Sequence, residues 1–190
     1  MMRKAVIGLL AMILLSSAQF ALAGYRHRPD NSVERAGDIG AIAIPASALA
    51  YSMIIGDMQG VWQLTESFAS TMLATEILKR SVQAERPYPM PRDKKYSFPS
   101  GHAASAFAGA AYWERRYGWK IGVPMYLAAT YVGYSRVYAY KHRWGDIVGG
   151  AVIGYGFNLL FTSRYTKNDG VSAALSPMPG GARFDLRWLF

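Results

Sequence analysis

The chain has 190 residues, a length suited to one domain, and 52% of them are apolar, which excludes intrinsic disorder. It contains no cysteine, so a disulfide framework and thiolate chemistry are excluded. A net charge of +9 suits anionic partners: phosphate esters, anionic lipid head groups or nucleic acid.

Arg3 and Lys4 precede an apolar run over 5–15, and Ala21-Leu22-Ala23 offers a small-x-small cleavage site before Gly24. That is the layout of a secretory signal peptide over 1–23, with an uncleaved first transmembrane helix as the alternative. Both place Gly24 outside the cytoplasm. Export argues against a nucleic-acid partner, and no basic-aromatic nucleic-acid module is present.

Residues 25–35 read as a polar loop. Residues 39–55 form an apolar helix with Pro45 inside it, either a core helix or a kinked span. A turn at 56–60 leads into a helix over 61–78. Its Glu66 and Glu76 are tolerable in a membrane only if they face other helices or water. A proline-rich loop over 81–99 precedes a small-residue helix over 103–112, with Ser100 as its N-cap. A basic, aromatic turn over 113–120, a helix over 121–134 and a last helix over 147–161 follow. Beyond them lies a polar tail, in which 183–190 alternates like a strand that has no evident partner.

The expected architecture is therefore an all-α bundle of five to six helices, with a domain over 24–170 and a tail over 171–190. Alternating helix directions put the loops at 56–60, 113–120 and 162–167 at one end. Arg115, Arg116, Lys120, Arg164 and Lys167 there fit a cytoplasmic side. The loops at 79–101 and 135–146 share the opposite, exported end. A mean hydropathy of +0.06 is low for a multi-span protein, and a soluble exported bundle has the same two ends.

Three polar clusters meet at that exported end. Lys79 is followed, after six residues, by Arg86-Pro87; Pro99-Ser100-Gly101-His102 opens a helix; Ser135-Arg136 leads, after five residues, to His142 and then Asp146. Lys79, Arg86 and Arg136 supply three cations, and Arg136 is a planar donor suited to phosphate. Ser100 and the N–H groups near Gly101 lie at a helix start, where the dipole favours anions. Together they describe a pocket for a group with several anionic oxygens. His142 and Asp146 are four residues apart and meet if Asp146 opens the next helix. A carboxylate on one imidazole nitrogen makes the other a better base or nucleophile. Alone, each cluster has an ordinary reading: a capped helix, interfacial charges, an arginine paired to an acid, a satisfied core histidine.

In this order and spacing the clusters resemble the three-part signature of the type 2 phosphatidic acid phosphatase superfamily, across roughly residues 38–163. That superfamily includes bacterial lipid phosphatases, class A acid phosphatases and vanadium haloperoxidases. The resemblance implies metal-independent phosphoryl transfer through a phosphohistidine. His142 would be the nucleophile, Asp146 its orienting partner and His102 the general acid. Lys79, Arg86, Ser100, Gly101 and Arg136 would hold the phosphoryl oxygens. No metal cofactor is implied; vanadate would be an inhibitor or, in the haloperoxidase branch, a cofactor. The implied substrate is a phosphorylated lipid at a bacterial inner membrane: phosphatidate, phosphatidylglycerol phosphate, an isoprenyl (pyro)phosphate or a lipid A phosphate. A soluble periplasmic acid phosphatase, a vanadium haloperoxidase and a non-catalytic membrane bundle are the alternatives.

Overall fold

The computed structural model describes residues 31–87, 95–166, 171–178 and 181–188. The signal peptide or first span expected over 1–23 lies outside these residues, as does the middle of the 81–99 loop. Within them five α-helices form the bundle: α1 Asn31–Ile54, α2 Met58–Val82, α3 Gly101–Tyr112, α4 Trp119–Tyr138 and α5 Trp144–Phe161.

The axis is α3. Nine of its twelve residues are buried, and apart from Tyr112 those nine are alanine, glycine or serine. So thin a helix lets its neighbours approach closely, and α3 touches all four of them. At Gly150 of α5 a Cβ would fall 2.6 Å from the carbonyl oxygen of Ser100 and 2.8 Å from the nitrogen of Ala104. Around this axis α1 packs on α4 and α2 on α5, whereas α4 and α5 hardly meet.

Pro45 lies inside α1 and has no N–H, so the carbonyl of Ala41 one turn back loses its helical partner. Ser105 of α3 replaces it, its Oγ donating to the Ala41 oxygen at 2.6 Å. One turn along, Gly109 makes room for the proline, since a Cβ there would lie 2.7 Å from the Pro45 nitrogen. The residue expected to kink α1 is thus also where α1 is bonded to the axis.

On α2 the buried positions Gly60, Leu64, Ser67, Thr71 and Thr75 form one stripe at helical spacing. The Ser67 and Thr71 hydroxyls donate to carbonyls of their own helix, at 3.1 and 2.7 Å. Glu66 and Glu76 are not turned toward other helices; both are exposed, and Glu76 pairs with Arg80 at 2.7 Å.

Several boundaries differ from the sequence reading. The helix expected from residue 39 begins at Asn31, so part of the 25–35 loop is helical and Glu34 and Asp38 belong to α1. Ser135 and Arg136 are the last turn of α4 rather than part of the polar connection. Trp113–Tyr117 is a π-helical continuation of α3, not an open turn. In each case polar side chains on a continuing helix mimic a loop, because their partners are distant in sequence.

Arg116 illustrates this. Its place in a basic loop fits a cytoplasmic side, yet its side chain is fully buried with that of Asp57. Its Nε and NH2 donate to the two carboxylate oxygens of Asp57 at 2.8 and 2.6 Å. Asp57 also caps α2 through the Gly60 N–H and accepts from the Tyr117 hydroxyl. Arg116 NH1 reaches the carbonyls of Ser163 and Arg164, so the three loops expected at one end are tied together there. Burial alone would raise the Asp57 pKa, but the bonds from Arg116, Tyr117 and Gly60 outweigh it and hold the carboxyl below its ordinary value.

The tail is not without structure. Val171–Met178 (β1) pairs antiparallel with Gly181–Trp188 (β2), from Val171 opposite Trp188 to Met178 opposite Gly181. The strand expected near the C-terminus therefore has a partner. The partner escaped notice because serine, alanine and proline carry little strand signal.

Arg116→Ala strands the Asp57 charge in the interior and is expected to cost about 3–5 kcal/mol, read as a lowered melting temperature. Because the folded pKa of Asp57 is depressed, its contribution is complete above the unfolded carboxylate value and is lost as pH falls through the lower folded value. Asp57→Asn should accordingly flatten the melting temperature against pH below about pH 4.

Candidate active site

At the end of the bundle opposite Asp57, the N-terminus of α3 meets the last turns of α2 and α4 around a cavity of about 580 Å³. Of the eight residues expected at the site, Lys79, Arg86, Gly101, His102, Arg136 and His142 line it. The other two, Ser100 and Asp146, are buried behind it.

Asp146 falls in the first turn of α5, as the spacing to His142 requires. Its Oδ2 accepts from the Arg143 N–H at 2.9 Å and from Ser97 Oγ at 2.5 Å, and lies 3.5 Å from His142 Nδ1. The carboxylate is thus fixed by the helix start and by Ser97, and it faces one nitrogen of His142, leaving Nε2 as the nitrogen not engaged by it. The imidazole–carboxylate contact is long, as such contacts often are before substrate tightens them. Burial, followed by the nearby Arg86 and Lys79, pushes the His142 pKa below the ordinary imidazole value despite the opposing bond with Asp146. Near neutral pH the ring is therefore uncharged and able to act as a nucleophile.

Ser100 accepts the Ala103 N–H as N-cap of α3 and donates its own N–H to the Asp146 carbonyl at 2.9 Å. It ties α3 to α5 rather than facing the cavity. Gly101 does face it: a Cβ there would meet nothing nearer than the Lys79 Cε at 3.8 Å. Packing does not require a glycine at this position, so its effect is to keep the start of α3, with its outward N–H groups, open to an anion.

The cations also build the site. Lys79 Nζ donates to the Tyr96 carbonyl at 3.0 Å, and Arg86 NH1 to that of Lys141 at 3.0 Å. Each pins a strand of the cavity wall and still faces the cavity. Arg136 is almost fully buried; its guanidinium donates to Asp38 Oδ1 at 2.7 Å and to the Glu34 carbonyl at 2.5 Å. Among the described residues, five basic ones, including Lys95 and Lys141, and one acid, Asp38, line the cavity. Lys141 forms an ion pair with Glu34.

Besides Lys95 and Lys141, the sequence reading does not include Ser97 or Asp38. Ser97 has no marker, being one serine in a proline-rich loop. Asp38 had one, an acid at the edge of an apolar run, where a charge is costly and calls for a function. Among the described residues no cluster of three or more His, Asp or Glu is placed to hold a metal ion.

The family model of the PAP2 superfamily matches residues 60–169, more than half of the chain, and the chain belongs to that superfamily. All eight expected site residues fall within the match, and Asp38 does not. Within the superfamily, 67 residues are 45% identical to the lipid A 4'-phosphatase of Helicobacter pylori, over 35% of this chain and 34% of that protein. Over 73 residues the chain is 40% identical to lipid phosphate phosphatase 2 of Arabidopsis thaliana, 30% of this chain and 25% of that protein. The matched stretches thus span about a third or less of these relatives. The crystal structure of Aquifex aeolicus LpxE has the same fold, with a TM-score of 0.61 at 23% identity over 80% of this chain and 92% of that one.

Gly101→Ala separates packing from binding. It should melt like the parent, because the added methyl meets only a flexible lysine. Inorganic phosphate binding, read by calorimetry, should weaken about tenfold, or 1.4 kcal/mol.

Proposed function

We propose that the protein is a phosphatase acting on a lipid phosphate, with His142 as the nucleophile and no metal ion in the chemistry. The observation that carries this reading is one cavity faced by two imidazoles and ringed by Lys79, Arg86 and Arg136, with Asp146 behind His142. His142 Nε2 attacks phosphorus and the bond to the lipid oxygen breaks. That oxygen takes a proton from His102. Water then attacks the phosphohistidine, giving its proton to His102, and phosphate leaves with His142 regenerated. A loose phosphoryl transition state needs positioning and charge neutralisation above all, and the three fixed cations supply both.

The lipid part rests on the outer surface and on the relatives. Ile39, Ile42 and Ile54 on α1, Leu127 on α4 and Val152 and Leu160 on α5 are exposed and apolar. Among the described residues α1 alone is long and apolar enough to cross a membrane, over Ser32–Ile54. The likeness to a lipid A 4'-phosphatase makes a lipid A phosphate the first substrate to test. We place the cavity at the exported face of the inner membrane, on the strength of the N-terminal signal pattern and the basic loops at the other end. Outward-facing Glu66 favours the second reading, a soluble periplasmic phosphatase.

The test is phosphate release by purified protein from lipid A phosphate, phosphatidate, isoprenyl phosphates and p-nitrophenyl phosphate, with and without EDTA. Turnover of a lipid phosphate that survives chelation is expected. His142→Ala should lower it by several orders of magnitude on every substrate while the protein stays folded. Full loss in EDTA restored by magnesium, or near-native release by His142→Ala, overturns the mechanism. Extraction of active protein without detergent would decide for the soluble reading.

A further inference from the structure

An anion-binding cavity gains nothing from a carboxylate, yet Asp38 lines this one. It lies on α1, outside the three clusters and outside the region matched by the family. A single oxygen, Oδ1, faces both Arg136 NH1 at 2.7 Å and His102 Nε2 at 2.9 Å. The ordinary explanation is that Asp38 neutralises Arg136 and fastens α1 to α4. That join already has the bond from Arg136 to the Glu34 carbonyl, and Gly37 gives the two helices room: a Cβ there would overlap the Ser135 side chain. It does not require the second contact, to His102.

His102 has a need that Asp38 answers in part: burial and Arg136 still hold its pKa below the ordinary imidazole value, and Asp38 is what opposes that shift. Its ring stands in the first turn of α3, at the positive end of the helix dipole, and a protonated imidazole is disfavoured there. Partial burial and Arg136 act in the same direction, with His142 adding to them. Lys79, from α2, lines the same cavity. Among the described residues, the charged groups around the ring come from α1, α2, α4 and the α4–α5 connection, and of these Asp38 is the one that favours the protonated form.

We infer that Asp38 is the positioning residue for His102, holding the ring by Nε2 so that Nδ1 delivers the proton to the departing lipid oxygen. The inference rests on the reading of His102 as the general acid. Two carboxylate–imidazole pairs of opposite use then serve the cavity, one of the carboxylates lying behind the wall. Asp146 faces Nδ1 of His142 and leaves Nε2 for phosphorus; Asp38 faces Nε2 of His102 and leaves Nδ1 for the leaving group. The proton passes from His102 to the oxygen, and Asp38 only holds the ring.

The experiment compares Asp38→Asn, Asp38→Glu, His102→Ala and the double variant Asp38→Asn/His102→Ala on an alkyl phosphate and on p-nitrophenyl phosphate, across pH. The asparagine keeps the shape and an acceptor oxygen but removes the charge. Its kcat/KM on the alkyl ester should fall about 10²-fold, the low end for losing a general acid, with a much smaller loss on the aryl ester, whose phenolate leaves without protonation. The alkaline limb of the alkyl profile, set by deprotonation of the acid, should move to lower pH by about one unit. Asp38→Glu should restore the position of that limb and part of the rate. In the His102→Ala background, Asp38→Asn should add no further loss specific to the alkyl ester. Equal losses on both esters with an unmoved limb would overturn the inference and leave Asp38 acting through Arg136. So would an alkyl-specific effect that persists without His102. Equal losses on both esters in His102→Ala itself would instead overturn the general-acid reading beneath it.

Discussion

Gly150 lets α5 lie on α3 with backbone against backbone, and Gly154 repeats the contact one turn on, where a Cβ would fall 2.7 Å from the Ala104 carbonyl oxygen. The rest of the site depends on this approach. It brings the start of α5, with Asp146, beside the start of α3, with Gly101 and His102. The Ser100 N–H then reaches the Asp146 carbonyl, so the two helix ends are joined by main chain as well as by packing. Two helix N-termini side by side make a positive corner, and the cations of α2 and α4 close it. A bulkier α3 would hold its neighbours apart, and the helix ends could not reach around one cavity.

The opposite end is organised by the same pair of requirements, burial and charge pairing. Asp57 and Arg116 are both removed from water, and every oxygen of the carboxylate has a donor. One end of the bundle is thus a closed polar lock and the other an open polar pocket, with an alanine-rich axis between them.

Local spacing made much of this legible. The His142–Asp146 interval, the Ser100 cap and the small residues of α3 are short-range patterns, and each one placed its residues where the structure has them. The helices themselves were found, with ends displaced by up to eight residues, because their apolar cores outweigh their polar ends. What stayed hidden depends on contacts between distant segments. Asp38 meets Arg136 and His102 only once α1 has packed on α3 and α4; Ser97 meets Asp146 only when the loop folds back; Arg116 looks like a surface cation until Asp57 is beside it. The hairpin was missed for a different reason, since register between two weak strands is set by their pairing and neither announces it alone.

The bond between Ser105 and the carbonyl of Ala41 ties three positions together unequally over evolutionary time. The acceptor belongs to the main chain, so residue 41 is free to drift among small side chains. Residues 45 and 105 are not independent. If Pro45 were replaced first, the restored N–H would compete for the Ala41 oxygen and the serine hydroxyl would become superfluous. If Ser105 were replaced first, a buried carbonyl would be stranded. A lineage leaving this arrangement would therefore have an open route in one order and a costly one in the other, and the proline would be the residue to go first.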